Sequence, residues 1–120
     1  MLTHLVIRRS EWLRGEPLKS CLLRGDGKRC CVGIYLAALG VPDRVLRPRG
    51  GRATARSVFL QDPDWFPESA SWLVHDWLDS QVAHELYAVN DSTTIDKHEI
   101  EANIAALFAS QGITVEFTDE

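Results

Sequence analysis

Apolar and polar positions alternate in some stretches of this chain and recur at helical spacing in others. Leu5-Val6-Ile7, followed by Arg8-Arg9, reads as a short strand. Ile113-Thr114-Val115-Glu116-Phe117 alternates, with Ile113, Val115 and Phe117 on one face, and reads as another. The second should pair with the first, or with Cys21-Leu22-Leu23, a further strand candidate. Ile100, Ile104, Leu107 and Phe108 recur as one helical stripe, opened by an Asp96–Glu99 capping box and stopped by Gly112. A second helix over about 81–89 turns Val82, Leu86 and Val89 inward. Cys31 to Leu39 is apolar nearly all round, so this helix belongs in the middle of the fold, ended by Gly40 and barred from continuing by Pro42.

The remaining segments are punctuated by turn residues. Ser10 can cap a short helical turn over Glu11-Trp12-Leu13-Arg14, with Gly15 as its stop. Gly25-Asp26-Gly27 predicts a tight turn, because Asp-Gly tolerates positive φ. After Asp62-Pro63-Asp64-Trp65-Phe66-Pro67, the spacing predicts a helix over 68–79 with Leu73, Val74, Trp77 and Leu78 on one side. At 100° per residue Trp72 then falls on the opposite, exposed side; the alternative is a different phase that makes Trp72 core. Residues 43–57 have neither period and are expected to be a mobile, Arg-rich loop. Together these elements predict an α+β fold in one domain over 1–120, with about four helices on a short β-sheet of two to three strands.

Composition sets bounds. The chain has 120 residues, 45% hydrophobic and 25% charged, ordinary for a globular domain and too apolar for disorder. Its longest nearly uncharged apolar run, Cys30 to Val41, is too short for a bilayer span. The opening Met1-Leu2-Thr3-His4 does not read as a secretory signal, which would set a long apolar stretch behind a basic region. Three cysteines, two of them adjacent, do not suit a disulfide framework, so a reducing cytoplasm is the expected setting.

Charge changes the picture. The net charge of −4 conceals an asymmetry: residues 1–60 carry 12 Lys+Arg against 4 Asp+Glu (+8), and residues 61–120 carry 1 against 13 (−12). Either the halves neutralise each other across the fold, or the surface has a basic face and an acidic face. A basic face built on Arg44, Arg47, Arg49, Arg52 and Arg56 could take a phosphate backbone, although it lacks interleaved aromatics for stacking bases. An acidic face containing Asp64, Glu68, Asp76 and Asp79 around Trp72 could enter a partner's basic groove, with the aromatic ring as anchor.

Candidate chemistry is sparse. Cys30 and Cys31 stand where a loop enters a helix, and the helix dipole with Lys28 and Arg29 would favour thiolate. His75 or His84 could act as base to such a thiol. Against this, buried cysteine is common packing material, and no hydrolase signature surrounds the pair. A zinc site from Cys21, Cys30, Cys31 and a histidine has suitable ligand types at unsuitable spacing. Gly50-Gly51 is not a phosphate loop, and neither a cofactor nor a metal is implied. Asn90-Asp91-Ser92 reads first as a turn and cap between helices, with binding as the alternative.

Two stretches carry a resemblance. Arg9-Ser10-Glu11-Trp12-Leu13-Arg14-Gly15 followed by Asp26-Gly27-Lys28-Arg29-Cys30-Cys31-Val32-Gly33 resembles an R-S-x-W-x-R-G … D-G-x-x-C-C-L-G signature, with Val32 in place of Leu. That signature belongs to a group of small bacterial and phage- or prophage-encoded proteins. Asn90-Asp91, the Ala105-Ala106-Leu107-Phe108 helix and Gly112-Ile113-Thr114-Val115-Glu116-Phe117 are similar to their tail. The likeness covers both ends and leaves out the arginine loop and much of the Trp-rich middle. The group has no assigned reaction, so it implies a setting in mobile elements and no catalytic residue. The expectation is therefore a non-enzymatic accessory protein that binds and modulates a host protein complex, its most specific form being an anti-CRISPR-like inhibitor of a defence system. Direct nucleic-acid binding by the arginines is the first alternative and a thiol enzyme the second; no membrane role is expected.

Overall fold

The computed structural model of the chain describes residues 2–15, 21–47 and 54–119. The α+β class is as the sequence predicts, with short helices around two small two-stranded sheets. Strand β1 (His4–Arg8) and strand β4 (Thr114–Thr118) pair in parallel, Leu5 opposite Val115 and Ile7 opposite Phe117. Leu5 and Ile7 are buried while His4, Val6 and Arg8 face out, so the two-residue period fixes which face meets the core.

Helix α1 (Cys31–Ala38) lies against β1 and helix α4 (Gln81–Asn90), and α4 packs on helix α5 (Lys97–Ala109), which in turn covers β4. Helix α1 begins with the Cys30 Sγ accepting the Gly33 N–H, and ends at Gly40 with φ of 103°. Ser80 caps α4 by accepting from Ala83 N–H, and Asp96 caps α5 by accepting from His98 N–H at 2.7 Å. Ile100, Ile104 and Phe108 are buried, as their stripe requires.

Four expectations need correction. Cys21-Leu22-Leu23 is buried but irregular rather than a strand. The Cys21 carbonyl accepts from Cys30 N–H, and the Leu22 backbone presses on α1 so closely that a Cβ on Gly33 would stand 2.0 Å from the Leu22 oxygen. The turn near Ser10 is a 3-10 turn over Arg9–Glu11, two residues earlier than capping by Ser10 implies, and the Ser10 hydroxyl donates to Asp119 instead.

Third, the ends of the arginine segment are helical. Helix α2 covers Asp43–Leu46 and buries Val45 and Leu46; helix α3 covers Ala55–Gln61 and buries Ala55 and Val58. Arg49 and Arg52 lie outside the described residues. Fourth, the helix expected over 68–79 is a 3-10 segment, Glu68–Leu73, followed by a hairpin of strands β2 (Val74–His75) and β3 (Leu78–Asp79). Its turn residues, Asp76 and Trp77, have φ of 50° and 68°, the positive pair of a type I′ hairpin.

Among the described residues, no helix is long and apolar enough to cross a membrane.

Candidate functional site

The signature residues converge on one buried side chain. Asn90, fully buried at the end of α4, accepts from Trp12 Nε1–H at 2.7 Å and Cys31 N–H at 3.0 Å, and donates to the Leu13 carbonyl at 2.9 Å and Asp91 Oδ1 at 3.2 Å. Its carboxamide therefore makes all four hydrogen bonds available to it. The Asn90 carbonyl accepts from Gly15 N–H, and Gly15 has φ of 71° with the Ser92 oxygen 3.1 Å from where its Cβ would sit. One residue thus ties the opening segment, the start of α1 and the end of α4 together, a larger role than a turn or cap.

The two arginines of the opening segment are also structural. Arg9 and Arg14 both ion-pair with Glu101 of α5, Arg9 through Nε at 2.8 Å and Nη2 at 2.7 Å. Arg9 lies over Phe117 and Arg14 over Trp12, whose rings stack with centroids 5.4 Å apart. Those hydrogen bonds and charges hold the Glu101 carboxyl below its ordinary range.

The cysteines are inside. Cys30 and Cys31 have no exposed surface, and burial pushes the Cys31 thiol well above its usual range, with Cys30 adding to the effect. The expected depression by the helix dipole is thus outweighed at Cys31 by desolvation. His75 and His84 are exposed, and His75 pairs with Asp76. Among the described residues no cluster of His, Cys, Asp or Glu has the form of a metal site.

The surface features that the scaffold does not consume gather around the hairpin. Trp77 is 68% exposed and Leu78 57% exposed, with Trp65 nearby in sequence at 44%. Trp72, expected as the exposed anchor, is half-buried: its indole N–H donates to the Tyr35 hydroxyl at 3.1 Å and its ring packs on Tyr35 and Phe108. A 3-10 segment does not follow the 100° phase that put Trp72 outside. Trp77 takes the exposed position instead, a residue the helical reading turned inward.

The hairpin is bolted to α3. Arg56 donates from Nε to the Trp77 carbonyl at 2.8 Å, and its backbone N–H donates to Asp79 Oδ1 at 3.1 Å. Ala55 N–H donates to the buried Tyr87 hydroxyl. Trp77 leans on Phe59 at 5.6 Å between centroids, and Phe59 on Phe66 at 5.4 Å. Arg44 lies 4.8 Å over Trp65. An open cleft of about 510 Å³ runs beside the hairpin, lined by Trp72, Val74, Asp76, Leu78, Asp79 and Val82 among others.

This stretch of sequence is acidic, with two arginines from earlier in the chain on the same surface. Residues 57–96 contain no Lys or Arg and eight Asp or Glu. Asp64, Glu68 and Asp76 are exposed, and among the described residues no Lys or Arg pairs with them. Asp79 is partly buried and holds α3. Of the predicted basic patch, Arg44 and Arg56 touch this same surface and Arg47 is exposed. Charges of the two halves therefore meet at Glu101, which partly bears out internal neutralisation, while the acids at 64, 68 and 76 remain outward.

Compared with protein-family models, curated proteins and solved structures, the chain matches none.

Proposed function

We propose that the chain is a non-enzymatic binding protein of phage or prophage type that docks its acidic hairpin surface on a host protein complex in the cytoplasm. A nucleic-acid-handling defence complex, inhibited in the anti-CRISPR-like manner, is the most specific form of this reading. The observation that carries it is the hairpin tip. Trp77 and Leu78 are exposed on a turn that Arg56 holds, next to Asp76, with the exposed Asp64 and Glu68 in the same acidic stretch of sequence. Large aromatic side chains set in a polar rim are what binding hot spots are made of. Complementary charge would speed the encounter with a basic partner.

The other readings have less support. Of the five arginines, Arg56 is engaged with the hairpin and Arg44 with Trp65, which weakens them as a continuous phosphate-binding track. The thiols are enclosed and Cys31 resists ionisation, which weakens nucleophilic chemistry.

The test is capture from bacterial lysate by the immobilised chain, with nuclease, compared with a variant carrying Asp64→Lys, Glu68→Lys and Asp76→Asn. Asp79 is spared because it caps α3, and Asn at position 76 tolerates the positive φ. A nuclease-resistant partner should be lost from the variant, and its affinity for the wild type should fall with salt. Equal capture by both proteins would refute an acidic docking surface. Capture that disappears with nuclease would favour the arginines and nucleic acid.

A further inference from the structure

We infer that the free edge of β1 takes an added strand, an extended segment of a partner protein that carries an apolar residue and, two places along, an acid. The hydrogen bonds of the sheet decide which groups are left over. Thr114 N–H donates to the Thr3 carbonyl, and the register sets Leu5 opposite Val115 and Ile7 opposite Phe117. Along a parallel pair the bonded residues alternate, so Leu5 and Ile7 turn their N–H and C=O to β4, while His4, Val6 and Arg8 turn theirs away. Among the described residues, β4 is the one strand beside β1, and nothing meets the N–H and C=O of His4 and Val6 or the N–H of Arg8. All three residues are exposed. Unpaired ladder groups on an exposed edge are a template for another strand.

The side chains along that edge choose the occupant. His4, Val6 and Arg8 share the outer face, since Leu5 and Ile7 point to the core. Val6 is 42% exposed, and the other large apolar residues exposed to this degree all fall between 60 and 78. Arg8 has no ion pair among the described residues; the link on this face joins His4 to Glu116 of β4. Side chains directly opposite each other on neighbouring strands attract when their charges are opposite and repel when they are alike. The added strand therefore sets an apolar side chain beside Val6 and an acid beside Arg8. The β1 strand of a second copy does not supply this, because none of its five residues is acidic. Antiparallel pairing about Val6 would set Arg8 against His4, and parallel pairing would set Arg8 against Arg8. The edge shares no residue with the hairpin surface, so the two readings stand or fall separately.

The test uses a synthetic peptide, Glu-Thr-Val-Thr-Glu with blocked ends, which sets a Glu beside Arg8 in either direction, and its counterpart Lys-Thr-Val-Thr-Lys. Each is added at millimolar concentration to the isotope-labelled chain, and amide shifts and hydrogen exchange are followed residue by residue. With the Glu peptide, the amides of His4, Val6 and Arg8 should shift and exchange more slowly, while those of Leu5 and Ile7, already turned to β4, should gain no protection. The Lys peptide should bind at least about fivefold more weakly, and Arg8→Glu should reverse the order of the two peptides. Val6→Pro removes an outward N–H from an edge strand and spares the bonds to β4, so it should abolish binding of both, with the remaining amide spectrum showing that the fold persists. No protection at Val6, equal binding of the two peptides, an order that Arg8→Glu leaves unchanged, or association of the chain with itself through this edge would each overturn the inference.

Discussion

Replacing Asn90 by Ala tests whether the signature residues are scaffold. The substitution leaves three buried groups without their partner: Trp12 Nε1–H, Cys31 N–H and the Leu13 carbonyl. Trp12 is 4% exposed, and Leu13 and Cys31 have no exposed surface. A buried polar group left unpaired costs about 1–3 kcal/mol. Three of them, partly relieved by water entering the vacated space, give a loss of roughly 3–5 kcal/mol. Typical domains have only about 5–15 kcal/mol in total, so the variant should approach unfolding. Urea denaturation followed by tryptophan fluorescence measures this, with an unchanged dependence on urea confirming that the folded and unfolded states are comparable. Asn90→Asp should also destabilise, because it keeps the acceptors, loses both donors and places a carboxylate beside Asp91. Adding Trp12→Phe to Asn90→Ala should cost less than the two single losses summed, since it removes one of the orphaned donors. A loss below about 1 kcal/mol for Asn90→Ala would refute the account, because an ordinary single hydrogen bond would explain it.

Two further outcomes follow from the geometry. Trp77→Gly should change stability by no more than about 1 kcal/mol: relief of a left-handed conformation, about 1–2 kcal/mol, opposes glycine's entropy, about 0.5–1, and the lost Phe59 contact, about 0.5–1.5. Thermal and urea unfolding read it, and a loss above about 3 kcal/mol would make Trp77 a structural residue. Glu101 contributes to the acid dependence, as does Asp26, whose carboxyl its hydrogen bonds to Arg24 and to the Lys28 N–H hold down to about 2. The Glu101 carboxyl titrates below the ordinary glutamate value of about 4.3, so its contribution is complete above that value and disappears as pH falls through it toward the folded-state value. Glu101→Gln should lower stability near neutrality and flatten its fall over that acid range; an undiminished fall would assign the acid dependence elsewhere.

What could be read in the sequence was what local pattern determines. The β1 and β4 alternation, the α5 stripe with its Asp96 cap, the fully apolar α1 and the Gly40 stop each depend on neighbours within a turn or two. Helix α3 escaped although Thr54 and Ser57 form a local cap, because its next two N–H groups, of Ala55 and Arg56, are satisfied from far away by the Tyr87 hydroxyl and the Asp79 carboxylate. The hairpin escaped because Leu73, Val74, Trp77 and Leu78 fit a helical spacing as well as a strand-turn-strand, and Asp-Trp is not a recognisable type I′ pair. That misreading exchanged the two tryptophans. Trp72 went inside and Trp77 outside, while the acidic neighbourhood named from composition stayed in place. The Asn90 hub carried a visible sign, an Asn-Asp pair at a helix end, but nothing local distinguishes a buried hub from a common cap.

The division of labour within the chain argues for where its function lies. Arg9, Trp12, Arg14, Gly15, Cys30, Cys31, Gly33 and Asn90 each serve the scaffold through an ion pair, a hydrogen bond, a helix cap or a close backbone approach. A scaffold does not choose a partner. The hairpin falls in the middle of the chain. Its tip holds a Trp where Gly would make the turn with less strain, and a Leu beside it, both turned to solvent. Folding alone does not call for either. Strain retained on an exposed aromatic residue, while Glu101 and Asp79 are used internally, supports the proposal that the tip docks on a partner.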